Sequence, residues 1–119
     1  IQELKMKERQ NDAGSIILAL TTFPNQEVAR QIGTQIVGAQ LAACVNILPG
    51  VESIYAWKGM VERESELLGL IKTTNENWEA LKNWIGKHHP YEEPELIAIP
   101  VEKGAAGYLD WVRASVAGD

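Results

Sequence analysis

Val51-Glu52-Ser53-Ile54-Tyr55-Ala56-Trp57-Lys58-Gly59-Met60-Val61-Glu62-Arg63-Glu64-Ser65-Glu66-Leu67-Leu68-Gly69-Leu70-Ile71-Lys72-Thr73 decides the fold. Val51 to Trp57 and Val61 to Thr73 are rich in strand-forming residues. Lys58-Gly59 between them suits a two-residue hairpin loop, with glycine supplying a positive φ. Upstream, Leu41 to Leu48 is strand-like, with Ala43, Val45 and Ile47 on one face. Pro49-Gly50 interrupts it as a bulge or bend, because Pro cannot donate to a ladder. Each arm of the hairpin runs to about a dozen residues, against ~5–6 for an ordinary strand. The far half of such a ribbon projects past a small sheet, and its edges invite aggregation unless covered. Other copies of the chain are expected to cover them, so the fold is expected to be an oligomer.

Working outward, Ile16 to Thr22 is a short apolar run that reads as a central strand stopped by Pro24. Asn25 suits a helix N-cap, and Glu27 favours the first turn. Val28, Ala29, Ile32, Ile36 and Val37 follow at helical spacing. Beyond the hairpin, Thr74 can cap a second helix that carries Trp78, Leu81 and Ile85 on one side and ends at Pro90. Glu95 to Val101 reads as a fourth strand, with Pro100 marking an edge or strand end. Tyr108, Leu109, Trp111 and Val112 predict a short final helix. The order β-α-β-β-α-β and then a helix defines an α+β, ferredoxin-like sandwich, a four-stranded antiparallel sheet with two helices on one face. Residues 1–13 are mostly polar and aperiodic and read as a disordered tail or an added segment. Residues 14–117 read as a single domain.

Composition narrows the function classes. The chain has 119 residues, 45% of them hydrophobic and 23% charged, the balance of a globular protein. Its 11 basic and 16 acidic residues give a net charge of −5, which argues against nucleic acid as a partner. Ile16 to Leu20 is far too short to span a bilayer, so no membrane partner is expected. Cys44 is the single cysteine, so neither an internal disulfide nor a Cys-x-x-Cys zinc motif is possible. That fits a reducing compartment. No phosphate-binding glycine loop, serine elbow or zinc-protease motif is present.

Several strings then form a pattern. Leu41-Ala42-Ala43-Cys44-Val45-Asn46-Ile47-Leu48-Pro49-Gly50 resembles the hallmark segment of the CutA divalent-cation tolerance family. Tyr55-x-Trp57-x-Gly59, Ile71-Lys72-Thr73-Thr74, His89-Pro90-Tyr91-x-x-Pro94-Glu95 and Tyr108-Leu109-Asp110-Trp111 match in the same order. The resemblance covers residues 15 to 116. It implies a ferredoxin-like fold assembled as a tight homotrimer, with long hairpins pairing between subunits. It implies a cytoplasmic protein of tolerance to copper and other divalent metals, but no settled molecular activity, since the family has no accepted reaction; the chain is expected not to be an enzyme. The trimer architecture also resembles that of the PII signal transducers, which bind small ligands in intersubunit clefts.

His88 and His89 are the only histidines, and imidazole is a natural ligand for copper or zinc. In the resembled family, metal binding is attributed to histidines at this motif, sometimes with a cysteine near the end of the first strand. Thr21 stands at that position here and is a poor ligand for a soft metal. Glu95 is a candidate third ligand, being near in sequence. The competing reading puts His88 on the buried helix side and has His89 hold the Pro90 turn through a backbone carbonyl. No cofactor is required; copper or another divalent cation is the candidate ion. Glu62, Glu64 and Glu66 alternate along one strand and share a face. They read as a solvated hairpin face, with attraction of cations as the functional alternative. Cys44 reads as a small core residue. The aromatic set reads as packing and interface anchors. Its sharper role is an intersubunit cleft built from Trp57, Tyr91, Lys72 and Glu95, where Lys72 would neutralise a small anionic ligand or pair with Glu95 or Glu92. An acylphosphatase-like enzyme would need an arginine in the loop Thr22-Phe23-Pro24-Asn25, which has none. An RNA-binding sheet would need aromatics where Leu67, Leu68, Leu70 and Ile71 stand.

Overall fold

A computed structural model describes residues 14–118. The expectation of a tail at residues 1–13 lies outside them. Strands β1 (Ile16–Phe23), β2 (Cys44–Trp57), β3 (Met60–Thr74) and β4 (Leu96–Pro100) and helices α1 (Gln26–Gly38), α2 (Trp78–His88) and α3 (Ala106–Val116) follow in the order β1-α1-β2-β3-α2-β4-α3. The sheet order is β2-β3-β1-β4, and every pairing is antiparallel. This is the expected α+β, ferredoxin-like arrangement.

Local chemistry accounts for the boundaries. Asn25 caps α1, its Oδ1 accepting the Val28 N–H at 2.8 Å. Thr74 makes no side-chain bond to the helix backbone. A 3-10 turn over Asn75–Asn77 precedes α2 instead, and Thr74 Oγ1 accepts Asn77 Nδ2–H at 2.8 Å. At the hairpin turn, Lys58 (φ 49°) and Gly59 (φ 82°) both lie in the left-handed region. Both positive angles are what a type I′ turn requires, and Trp57 pairs directly with Met60 across it. The register slips between Leu48 and Val51, so Pro49-Gly50 is the bulge that the sequence predicted. Gly50 takes φ 81° there.

β1 pairs with β3 only from Leu67 to Thr74. Residues 60–66 of β3 therefore continue with β2 alone as a two-stranded ribbon. The molecule measures 51 × 30 × 24 Å, and its radius of gyration is 15.8 Å, against about 13 Å for a compact chain of this length. β4 and β2 are the two edge strands, as Pro100 suggested for β4.

One sheet face packs on α1 and α2, where Ala19, Phe23, Ile32, Ile36, Ile71, Leu81 and Ile85 form the core. A second cluster joins Ile16 and Ala43 to Val112 and Val116 of α3. By strand alternation, Leu18, Leu20, Leu48, Leu68, Leu70, Ile97 and Ile99 share the face turned away from α1 and α2. Ile97 is 53% and Ile99 46% exposed. The ribbon tip is barer still, with Val61 at 78% and Ile54 at 64%.

Candidate functional site

An open cleft of about 850 Å³ lies where the ribbon meets the loop between α2 and β4. β2 contributes Tyr55 and Trp57, β3 contributes Glu64 and Glu66, and the loop brings Tyr91, Glu92, Glu93 and Glu95.

His89 sets the loop. Its ring is buried, stacked on Phe23 at 5.9 Å between centroids and tilted against Tyr91 at 4.7 Å. Nε2–H donates to the Thr22 carbonyl at 2.8 Å, and Nδ1 accepts the Tyr91 N–H at 3.1 Å. A carbonyl can only accept and an amide N–H can only donate, so the two bonds fix the Nε2–H tautomer. The single lone pair of that ring is committed to the Tyr91 amide. His89 therefore ties β1 across Pro90 to the start of the loop, the carbonyl-bonded role that the sequence offered as the alternative to metal binding.

His88 points elsewhere. It is exposed rather than buried on the helix side. It stacks on Trp84 at 4.0 Å, and Nδ1–H donates to the Trp84 carbonyl at 2.9 Å. Glu95 lies on the cleft, and its backbone carbonyl accepts the Thr21 hydroxyl at 2.7 Å. Thr21 thus fastens β1 to the start of β4. His88, His89 and Glu95 are not brought together: among the described residues no three His, Cys, Asp or Glu side chains could hold one metal ion. The donors among the described residues of one chain do not fit a resident metal.

Of the cleft residues named from sequence, Trp57, Tyr91 and Glu95 meet. Lys72 does not join them. It pairs across strands with Leu18 and Cys44 and donates to Asn46 Oδ1, rather than to Glu95 or Glu92. It lies six steps along β3 from Glu66, about 20 Å of strand. Cys44 is only half-buried beside it, not core. Tyr108 approaches that thiol; burial first, then Cys44, raises its hydroxyl above the ordinary phenol value.

The glutamate column is more than a solvated face. Glu66 is 7% exposed, and its Oε2 accepts the Tyr91 hydroxyl at 2.7 Å. Burial first, then the bond to Glu66, holds the Tyr91 hydroxyl well above its ordinary range. Tyr55 is also raised, by desolvation and then by Glu64, Glu62 and Glu66. The Glu66–Tyr91 pair was not foreseen. The two residues are 25 apart in sequence, and only the path of the loop past the end of β1 joins them.

Fold and site together define a small ferredoxin-like protein with an overextended ribbon, an uncovered apolar sheet face and a cleft under the ribbon. The chain belongs to the CutA1 divalent ion tolerance protein family, whose profile matches residues 17–115. It is 48% identical over 100 residues to human Protein CutA, a match covering 84% of this chain and 56% of the human one. The chain thus spans little more than half the length of that relative. The divalent-cation tolerance protein CutA of Thermus thermophilus is 48% identical over 96 residues, covering 81% of this chain and 93% of that one. The solved Thermus thermophilus structure superposes with a TM-score of 0.82 at 46% identity, covering 84% and 97% of the two chains. The CutA1 crystal structure from Oryza sativa gives 0.84 at 38% identity, covering 88% and 96%. The family is named for tolerance and not for a reaction. No helix among the described residues is long and apolar enough to cross a membrane.

Proposed function

We propose that the chain works as a non-enzymatic homotrimer in tolerance of divalent metals, copper among them. The observation that carries this reading is the apolar sheet face on which Leu48, Ile97 and Ile99 are exposed and Leu20, Leu68 and Leu70 half-buried, in a chain of this family. A contiguous apolar face of this kind marks an interface, and copies of the chain packed on it also cover the edges of the ribbon. Divalent ions then bind as cargo. His88 keeps Nε2 free of any bond among the described residues and Glu95 is exposed; the two are not brought together within one chain, so donors from a neighbouring protomer complete the shell at His88. His89 would have to give up the Tyr91 amide bond at Nδ1 to take part. The free thiol of Cys44 supports a cytoplasmic setting. Calorimetry with Cu²⁺ on the wild type, His88→Ala and His89→Ala tests the reading. It predicts lost heat in His88→Ala, and equal heats in that variant and the wild type refute the site.

The cleft favours a second reading, a PII-like small-ligand sensor or interaction scaffold. A cavity of about 850 Å³ with Trp57 and Tyr91 in its wall has the size of a ligand site. A thermal-shift screen in which no small molecule stabilises the protein would refute it.

A further inference from the structure

Along β3 the side chains on the face turned away from α1 and α2 read Glu62, Glu64, Glu66, Leu68, Leu70, Lys72. The alternation holds over that stretch because the extra residue of the bulge lies on β2, between Leu48 and Val51. One face of one strand thus runs from three carboxylates through two leucines to an ammonium, with about 20 Å between Glu66 and Lys72. The neighbouring strands widen only the apolar middle and the lysine end, where Leu18, Leu20, Leu48, Ile97 and Ile99 stand beside Leu68, Leu70 and Lys72. Lys72 is the single charged side chain among them.

Neither end is neutralised within the chain. The ion pairs of the described residues are Lys82–Glu79 and Arg113–Asp110. Lys72 is half-buried and donates to the neutral Asn46 Oδ1. Glu66 accepts the Tyr91 hydroxyl, and Glu64 is exposed. Distance keeps Lys72 from its own glutamates. Covering the leucines strips water from the lysine in their midst, and a desolvated ammonium without a counter-charge is costly. Whatever covers this face must therefore bring an anionic group to Lys72 and leave the glutamates facing a cation. A second copy of the same face carries both.

We propose that copies of the chain register head to tail on this face, the Lys72 end of one protomer seated at the glutamate end of the next, with Glu64 of the neighbouring copy as the counter-ion. The inference rests on the homotrimer reading and adds which part of one copy meets which part of the next. Each protomer uses its two ends on two different neighbours, as a closed ring requires. Slipped registers set like charges together or leave Lys72 against leucine, and are rejected.

Sedimentation velocity of the full chain over a dilution series tests it, on the wild type, Lys72→Glu, Glu64→Lys and the double variant. Each single reversal places like charges together and should raise the concentration of half-dissociation about tenfold or more. The double variant restores the pair with its signs exchanged and should recover most of that loss. Raising NaCl from about 0.05 to 0.5 M should weaken assembly of the wild type more than that of Lys72→Met. Circular dichroism confirms that each variant is folded; if a reversal is not, the salt response of the wild type against Lys72→Met carries the test, and equal responses overturn the proposal. Lys72→Glu assembling as tightly as the wild type overturns it, as does a double variant no better than the worse single one; both leave the homotrimer standing. A wild-type chain that stays monomeric removes the homotrimer and the register together.

Discussion

Gly69 lies on β3 opposite Thr21, and a Cβ built there would sit 2.6 Å from Phe23 Cε2. Ordinary carbon–carbon contacts lie near 3.5–4.0 Å, so the ring would have to retreat by about 1 Å. Phe23 is fully buried, as is Thr21, whose Cγ2 is a further 3.2 Å contact. Behind Phe23 the His89 ring is stacked, held at both nitrogens. Overpacking of this kind costs about 1–3 kcal/mol. Alanine regains about 0.5–1 kcal/mol of backbone entropy over glycine in a strand. The net loss for Gly69→Ala is therefore at most about 2.5 kcal/mol and centred on about 1 kcal/mol. With a urea m-value of roughly 1–3 kcal/mol per molar, a loss of about 1 kcal/mol lowers the midpoint by about 0.3–1 M. Tryptophan fluorescence during urea unfolding reads this, at one fixed chain concentration because association adds to stability. Gly86, in α2, has no atom within 4 Å of its would-be Cβ, so Gly86→Ala should raise the midpoint in the same assay. A Gly69→Ala midpoint at or above the wild-type value would refute the packing of Phe23 against β3.

Three further outcomes follow from the same contacts. His89→Ala should destabilise the chain by about 2–4 kcal/mol in urea, through a cavity between Phe23 and Tyr91 and an unmet Thr22 carbonyl. The Tyr91 hydroxyl is raised above its ordinary value of 10.0, so the folded chain holds that proton more tightly than the unfolded one. Its contribution to stability is therefore complete below that ordinary value and is lost as pH rises through the folded one. In an alkaline ultraviolet titration, Tyr91→Phe should accordingly lack a late-ionising phenol. Asn25→Ala should cost about 1 kcal/mol by removing the α1 cap, read as a lower urea midpoint with an unchanged m-value.

Much of the fold is legible because local chemistry and periodicity agree. Asn25, Pro49-Gly50 and Lys58-Gly59 each demand one backbone geometry, and the structure supplies it. The ribbon's overreach follows from strand length alone. Long-range placement is what the residues do not announce. His89 and Thr22 are 67 apart in sequence, and Glu66 reads as one of three equivalent surface carboxylates until the loop lays Tyr91 over it. Lys72 sits in a string that matches the family, yet distance along β3 sends it to another part of the sheet. His88 and His89 are adjacent in sequence, but the helix ends between them and their rings pack on different partners.

The central claim is that copies of the chain close the apolar sheet face and the ribbon edges. Sedimentation equilibrium at micromolar concentration tests it most directly. The account predicts a single species of three times 13.2 kDa, driven toward smaller species by Leu70→Glu on that face. A wild-type chain that stays at 13.2 kDa, folded and soluble, would contradict it.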